Sequence, residues 1–307
     1  MGTAPLARAS LDALAVAPSL EIVAVVSQPD RPKGRDLRLQ FSAVKQRALE
    51  LGKLVLQPAR ARDTGFIDQL RALTPDLIVV AAYGQILPAA LLEVPRFGCL
   101  NVHASLLPKY RGAAPIQWAL LDGESETGVT IMKMDAGLDT GAMLSERASP
   151  ITDTDNAATL HDRLATLGAD LLISTIPPFV EGKIPPRPQD ESRATYARKI
   201  TKEDGRLDWT QPARVLWNKT RGLTPWPGTF TYAAGQLLKV WRASVAAELH
   251  GPPGEILCAD KSGLIVACGQ QALRLEEVQR EGGRRLEAAA FLAGNALTVG
   301  SKLGLQL

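Results

Sequence analysis

Five short runs rich in β-branched and apolar residues, at 21–27, 54–57, 76–82, 98–104 and 128–134, are each separated by a stretch long enough for a helix. Such runs suit strands buried on both faces. Strands that alternate with helices are assembled as a parallel, doubly wound sheet. The intervening signals agree. Ser42 predicts the cap of a helix that runs to Leu51 and ends at Gly52, and further helices are expected at 3–14, 63–73, 87–93 and 114–121. Leu160, Leu164, Leu167, Leu171 and Leu172 form an apolar stripe at helical spacing, which Pro177-Pro178 should end. No GxGxxG follows any of the runs, which disfavours a dinucleotide site.

Past residue 205 the texture changes. Short β-rich pieces at 229–232, 237–245, 255–258, 264–267 and 272–278 are punctuated by Gly and Pro, with one helix expected near 212–221. This pattern predicts a small β-barrel. Pro185, Pro186 and Pro188 mark an extended linker. The expected organisation is an α/β domain over 1–182, a linker over 183–204 and a β-barrel domain over 205–307.

Composition narrows the classes further. The formal net charge of the 307 residues is only +3, but residues 205–307 carry 12 Lys and Arg against 8 Asp and Glu, a net of +4. A mildly basic C-terminal part would suit a nucleic-acid backbone. Three cysteines without a CxxC pair (Cys99, Cys258, Cys268) point to neither a disulfide framework nor a zinc site, so no metal is expected. No apolar run is long enough to cross a bilayer, and the start has no signal-peptide pattern. A cytoplasmic monomer without membrane contact is the expectation.

The chemistry concentrates at the end of the fourth run. Asn101 and His103 are two apart, hence on one side of an extended strand, at the carboxyl end where open α/β sheets bind ligands. After the fifth run, Asp139 stands between Gly137 and Gly141. If the fourth and fifth strands are neighbours, Asp139 reaches His103. An amide donor, an imidazole and a carboxylate in one crevice suit transfer of an acyl-level carbon to an amine. The amide NH₂ stabilises the oxyanion, the imidazole carries the proton, and the carboxylate fixes its tautomer. Taken singly, an Asn or His near a strand end is more often a loop or core residue, and an Asp between glycines a turn former. His161 and His250 take that ordinary reading; the joint occurrence of the three is the more specific signal.

The stretch Asn101-Val102-His103-Ala104-Ser105-Leu106-Leu107-Pro108, continued by Tyr110-Arg111-Gly112-Ala113-Ala114-Pro115-Ile116-Gln117, resembles the signature of the folate-dependent formyltransferases. Gly128-Val129-Thr130, Met134-Asp135 and Gly137-Leu138-Asp139-Thr140-Gly141 extend the likeness, as do Ala82-Tyr83-Gly84, Leu207-Asp208-Trp209 and Pro225-Trp226-Pro227. The resemblance covers nearly the whole chain and is to the branch that acts on aminoacylated tRNA. It implies a Rossmann-like sheet followed by an OB-like tRNA-binding barrel. It also implies transfer of the formyl group of 10-formyltetrahydrofolate to the α-amino group of methionine on initiator methionyl-tRNA. Asn101, His103 and Asp139 fall on the family's catalytic positions, and Ser105, Leu106, Leu107 and Pro108 on its folate-binding loop. The loop at 33–39 falls where the family contacts the tRNA acceptor end, with Lys33, Arg35 and Arg38 as the expected contacts; Asp36 and Leu37 depart from its small, basic pattern. Family members carry a β-strand immediately before the Gly-Thr that here is Gly2-Thr3, so the first strand of the sheet is expected to be missing through a start assigned a few residues late. The competing reading is a folate-dependent formyltransferase acting on a small amine. A binding module without turnover is disfavoured because all three catalytic positions are filled.

Overall fold

The computed structural model describes residues 1–33, 38–261 and 263–304. The chain divides into two units, one of residues 1–115, 126–150 and 161–198, the other of residues 116–125, 151–160 and 199–307. In chain order the first half of the sequence forms α1 (Pro5–Val16), β1 (Val25–Val26), β2 (Arg31–Lys33), β3 (Arg38–Gln40), α2 (Ala43–Glu50), β4 (Val55–Leu56), α3 (Thr64–Ala72), β5 (Ile78–Val80), α4 (Ala89–Leu92) and β6 (Cys99–His103). It continues through β7 (Arg111–Gly112), α5 (Pro115–Leu121), β8 (Glu126–Lys133), β9 (Met143–Pro150), α6 (Ala157–Val180) and β10 (Tyr196–Ala197).

In the first unit β5, β6, β8 and β9 make one sheet in that order, and β1 and β4 make a two-stranded sheet. β5–β6 and β1–β4 are parallel, whereas β8 and β9 run antiparallel to their neighbours. The α/β class thus holds, with a mixed rather than uniformly parallel sheet. Its inner strands are β6 and β8, where Leu100 and Val102 are buried along with Val129 and Ile131. On α6, Gly168 has no Cβ to collide with Val102, which would lie only 2.9 Å away, so the helix settles close against the strand that carries the site. Leu164 and Leu172 of the predicted stripe are fully buried. Truncating either would cost about 2–5 kcal/mol.

Three expectations are corrected. The run at 21–27 is strand only at Val25–Val26, which pair with Val55 and Leu56; residues 20–24 line a cavity of about 420 Å³ together with residues 73–79. Helix α6 passes through Pro177 and Pro178 to Val180 instead of stopping before them. The carbonyls of Pro177 and Pro178 still accept from the N–H groups of Glu181 and Lys183, which carries the turn past them. Strand β9 went unassigned because its middle, Ser145-Glu146-Arg147, is polar and lies at the sheet edge.

The second unit is built on α7 (Ala213–Gly222), β11 (Thr229–Ala233), β12 (Gln236–Ala246), β13 (Ile256–Asp260), β14 (Gly263–Ala267), β15 (Ala272–Arg280), β16 (Leu286–Glu287) and α8 (Ala288–Gly294). Its six strands form one antiparallel sheet, β11-β12-β15-β14-β13, with β16 added beside β15. Trp209, Leu216, Val240, Leu264, Leu275 and Phe291 pack its core.

Candidate active site

Strand β6 presents Asn101 and His103 opposite Met132 and Thr130 of β8. The loop after β8 doubles back toward them. Asp135 Oδ1 accepts from the backbone N–H of Gly137 at 3.0 Å and from the Thr140 hydroxyl at 2.7 Å, closing a tight turn. The left-handed residue in that turn is Asp139 itself, at φ 53°. Gly141 is needed for close approach, since a Cβ there would lie 1.8 Å from the carbonyl oxygen of Lys133. The strained conformation thus falls on the carboxylate-bearing residue and not on either flanking glycine.

The three predicted residues meet. Asn101 Nδ2 donates to Asp139 Oδ1 at 3.2 Å, and the backbone N–H of Gly112 donates to Asp139 Oδ2 at 2.8 Å. His103 Nδ1 faces the same Oδ2 at 3.6 Å, with its side chain only 5% exposed. The other ring nitrogen, Nε2, lies 2.9 Å from the carbonyl oxygen of Tyr110. A carbonyl can only accept, so Nε2 carries the hydrogen and donates. Nδ1 is then the ring nitrogen left without a hydrogen, and it faces the Asp139 carboxylate. The tautomer is therefore set by a backbone carbonyl and not, as the sequence implied, by the carboxylate.

The Ser105–Leu106–Leu107–Pro108 loop is tied to β8 through a residue that the sequence reading passed over. Thr130, fully buried, donates its hydroxyl to the Ser105 carbonyl at 2.8 Å and accepts from the Leu107 N–H at 3.1 Å. Ser105 Oγ donates to the Lys109 carbonyl at 2.6 Å, Leu107 and Pro108 are buried, and Leu106 is half-exposed. Tyr110, left-handed at φ 61°, and Arg111 are held from across the chain: the Tyr110 N–H donates to Thr195 Oγ1 at 2.9 Å, and β7 pairs with β10 in parallel.

Arg111 and Gln189 were also missed as site residues. The Arg111 side chain is fully buried and forks onto Gln189 Oε1 and both oxygens of Glu191. Hydrogen bonding to Glu191 raises the Arg111 guanidinium above its ordinary pKa and lowers the Glu191 carboxyl below its own. The signal available was weak, an Arg beside a Gly in the motif and a Gln in a proline-rich stretch.

Of the expected tRNA contacts, Lys33 and Arg38 sit opposite each other on the antiparallel β2–β3 ribbon, and Arg35 lies outside the described residues. Among the described residues no group of His, Cys, Asp and Glu could hold a metal ion, and no helix is long and apolar enough to cross a membrane.

A mixed α/β sheet with an amide, an imidazole and a carboxylate gathered at the end of an inner strand defines a group-transfer enzyme that works on a carbonyl carbon. Comparison with known proteins makes the class specific. Residues 1–176 match the formyl transferase family and residues 199–296 the formyl transferase C-terminal domain; the chain belongs to the formyl transferase family. It is 52% identical over 305 residues to the methionyl-tRNA formyltransferase of Thiobacillus denitrificans, covering 99% of this chain and 98% of that protein. Identity to the methionyl-tRNA formyltransferase of Caldanaerobacter subterraneus subsp. tengcongensis is 48% over 305 residues, with the same coverage. Among solved structures, an N-formyltransferase from Helicobacter canadensis in complex with folinic acid and dTDP-3-aminofucose superposes with a TM-score of 0.68 at 17% identity, covering 89% of this chain and 97% of that one. That likeness shows the fold.

Proposed function

We propose that this protein transfers the formyl group of 10-formyltetrahydrofolate to the α-amino group of methionine on initiator methionyl-tRNA. The observation that carries the reading is the meeting of Asn101, His103 and Asp139 in a chain about half identical, over nearly its full length, to methionyl-tRNA formyltransferases.

The donor set suits a formyl amide. It offers one N–H donor, one basic nitrogen and one carboxylate, and residues that follow β5 share its end of the sheet because Val80 pairs with Asn101 in parallel. There Ile86 is exposed, as is Leu138 next to Asp139, so apolar surface is available to a flat ring system. Residues Ser105–Pro108 would hold the folate. When bound, 10-formyltetrahydrofolate supplies the activated formyl carbon. An α-amino group has a pKa near 8, so some of it is free to attack at neutral pH. Asn101 Nδ2 donates toward the negative charge that grows on the formyl oxygen, an interaction whose loss elsewhere costs about 10²–10³ in rate. His103 Nδ1 takes the proton that the attacking nitrogen sheds, while its Nε2–H stays on the Tyr110 carbonyl. Asp139 faces the resulting imidazolium, and the same proton passes to the leaving nitrogen as its C–N bond breaks. No covalent bond to the protein forms, and the protein is read as a monomer that works in the cytoplasm.

For the acceptor, Lys33, Arg35 and Arg38 would meet the tRNA end, and the basic residues of 205–307 its phosphates, which would make binding weaken with salt. A formylation assay that offers methionyl-tRNA and a nucleotide-linked amino sugar in parallel decides the acceptor. Turnover of the tRNA alone is expected; turnover of the sugar alone would replace this reading with the small-amine one.

A further inference from the structure

Gln189 occupies the proline-rich stretch between α6 and β10, yet its side chain reaches the catalytic loop. Its Nε2 lies 2.8 Å from the carbonyl oxygen of Asp139 and 2.8 Å from that of Gly141. Its Oε1 lies 3.0 Å from Arg111 Nε and 2.8 Å from Arg111 Nη2. Arg111 can only donate and the two carbonyls can only accept, so the amide has a single chemically sensible orientation. Arg111 is in turn flanked by Tyr110, whose carbonyl holds His103 Nε2–H, and by Gly112, whose N–H holds Asp139 Oδ2. A closed ring results: the backbone of 110–112 grips the imidazole and the carboxylate, while the Arg111 side chain returns through Gln189 to the backbone that carries the carboxylate.

We propose that Gln189 is a positioning residue for the formyl transfer, holding Asp139 in its left-handed conformation so that the carboxylate faces His103 Nδ1. The assignment rests on the reaction proposed above. A non-glycine residue at φ 53° persists only where its surroundings impose it, and the two Gln189 bonds fall on the carbonyls of that residue and of the second residue after it. Without them the turn relaxes, and Asp139 drifts from the 3.6 Å separation that couples it to the imidazole. A displacement of about 1 Å in such a set costs on the order of 10²-fold in rate.

Two variants separate this role from that of a mere hydrogen-bond acceptor for Arg111. Gln189→Glu keeps an acceptor for Arg111 but turns a carboxylate oxygen toward the two carbonyls; Gln189→Met keeps the length and removes both functions. The expected result is a kcat lower by roughly 10- to 100-fold in both, with KM for folate and for methionyl-tRNA within about threefold of the parent. A Gln189→Glu protein with parental kcat would overturn the proposal, because it would leave Gln189 only a partner for Arg111. A second readout needs no turnover. The chain has three histidines, so ring ¹⁵N signals can be assigned by comparison with His103→Ala. In Gln189→Met the His103 signals and their pH dependence should move while those of His161 and His250 stay, and an unmoved His103 would equally overturn it. If the parent protein fails to formylate methionyl-tRNA, the reaction assignment falls, and the ring spectra still decide whether Gln189 positions the pair. Should Gln189→Met not fold, the kinetics of Gln189→Glu carry the test.

Discussion

Two regions of the same unit use the backbone in opposite ways. Around Asp139, side chains and loops up to 85 residues apart in sequence are cross-bonded, and the carboxylate, the imidazole and the Arg111 guanidinium all have partners. Between β1 and β5 lies the cavity of about 420 Å³, lined mainly by apolar residues of 20–26 and 73–79. There β1 and β4 form a two-stranded sheet, and β5 is an edge strand beside β6. The gap is closed at one end by Met1 and Gly2: the Gly2 N–H donates to the Val26 carbonyl at 2.9 Å and the Ala81 N–H to the Met1 carbonyl at 3.0 Å. The cavity includes neither Asn101, His103 nor Asp139. A fold can thus be over-determined where geometry matters for chemistry and loosely closed a few strands away. Changes in the crevice should cost rate more than stability, and changes beside the cavity stability more than rate.

The largest effect expected is on turnover. His103→Ala should lower kcat by about 10²–10⁴, the usual contribution of a positioned acid–base group. Asn101→Ala should lower it by about 10²–10³. Both proteins should keep the parental circular dichroism spectrum and a cooperative melt. Near-parental kcat in either variant would break the comparison, since the densely bonded crevice would then have no chemical role.

The next effect belongs to the cavity side and is read by pH. In a chain whose first residue is Met1, the ammonium is buried and donates to the Val79 carbonyl at 2.6 Å. Burial, slightly offset by the Cys99 thiol, lowers its pKa from 8.0 to about 6. Between those values the unfolded chain binds more protons than the folded one, so stability rises with pH across that window and is lost as pH falls through it. Two pKa units correspond to roughly 2–3 kcal/mol. On the alkaline side, burial pushes the thiols of Cys99 and Cys268 from 9.0 up to about 12. Above pH 9 the unfolded chain sheds those protons first, and stability falls again. Urea melts at pH 5.5, 8.5 and 10.5 should show the maximum at the middle value. A flat profile from 5.5 to 8.5 would mean that the terminus is not enclosed.

The contrast also explains what could be read from residue order. Strand β6 and its Asn/His pair were legible because a buried run with two polar residues at spacing two has few other uses, and Ser42 caps α2 as predicted, accepting from the Lys45 N–H at 3.0 Å. The meeting of Asp139 with that pair was legible only as a condition, that two strands be neighbours. The structure meets it, though with β8 antiparallel, and the loop 134–142 carries the carboxylate back to Asn101. Thr130, Arg111 and Gln189 were not legible. Their roles arise from closures over 25, 80 and 50 residues, to the Ser105 carbonyl, to Glu191 and to the Asp139 carbonyl. No local pattern encodes such contacts. The short observed length of β1 was hidden for a related reason, because a β-branched run announces an extended backbone but not whether a neighbour exists to pair with it.

The smallest expected effect sits between the two regions, at Tyr83. Its backbone carbonyl is well used, accepting from Gln28 Nε2 at 2.7 Å and Thr3 Oγ1 at 3.1 Å. Its ring packs among Val26, Leu87, Leu91 and Cys99 with the residue 2% exposed. Among the described residues the phenol oxygen has no hydrogen-bond partner, and burial pushes the hydroxyl pKa from 10.0 to about 12. A buried polar group left unpaired costs about 1–3 kcal/mol, so deleting it in Tyr83→Phe, which keeps the ring and its contacts, should leave stability unchanged or raise it by up to about 1 kcal/mol. The readout is the urea midpoint at constant slope, which isolates stability from any change in compactness. A midpoint lower by the equivalent of about 1 kcal/mol would show that the hydroxyl is bonded after all. The hydrogen bonding that marks the crevice would then reach into this cluster too, and the boundary drawn between the two regions would have to move.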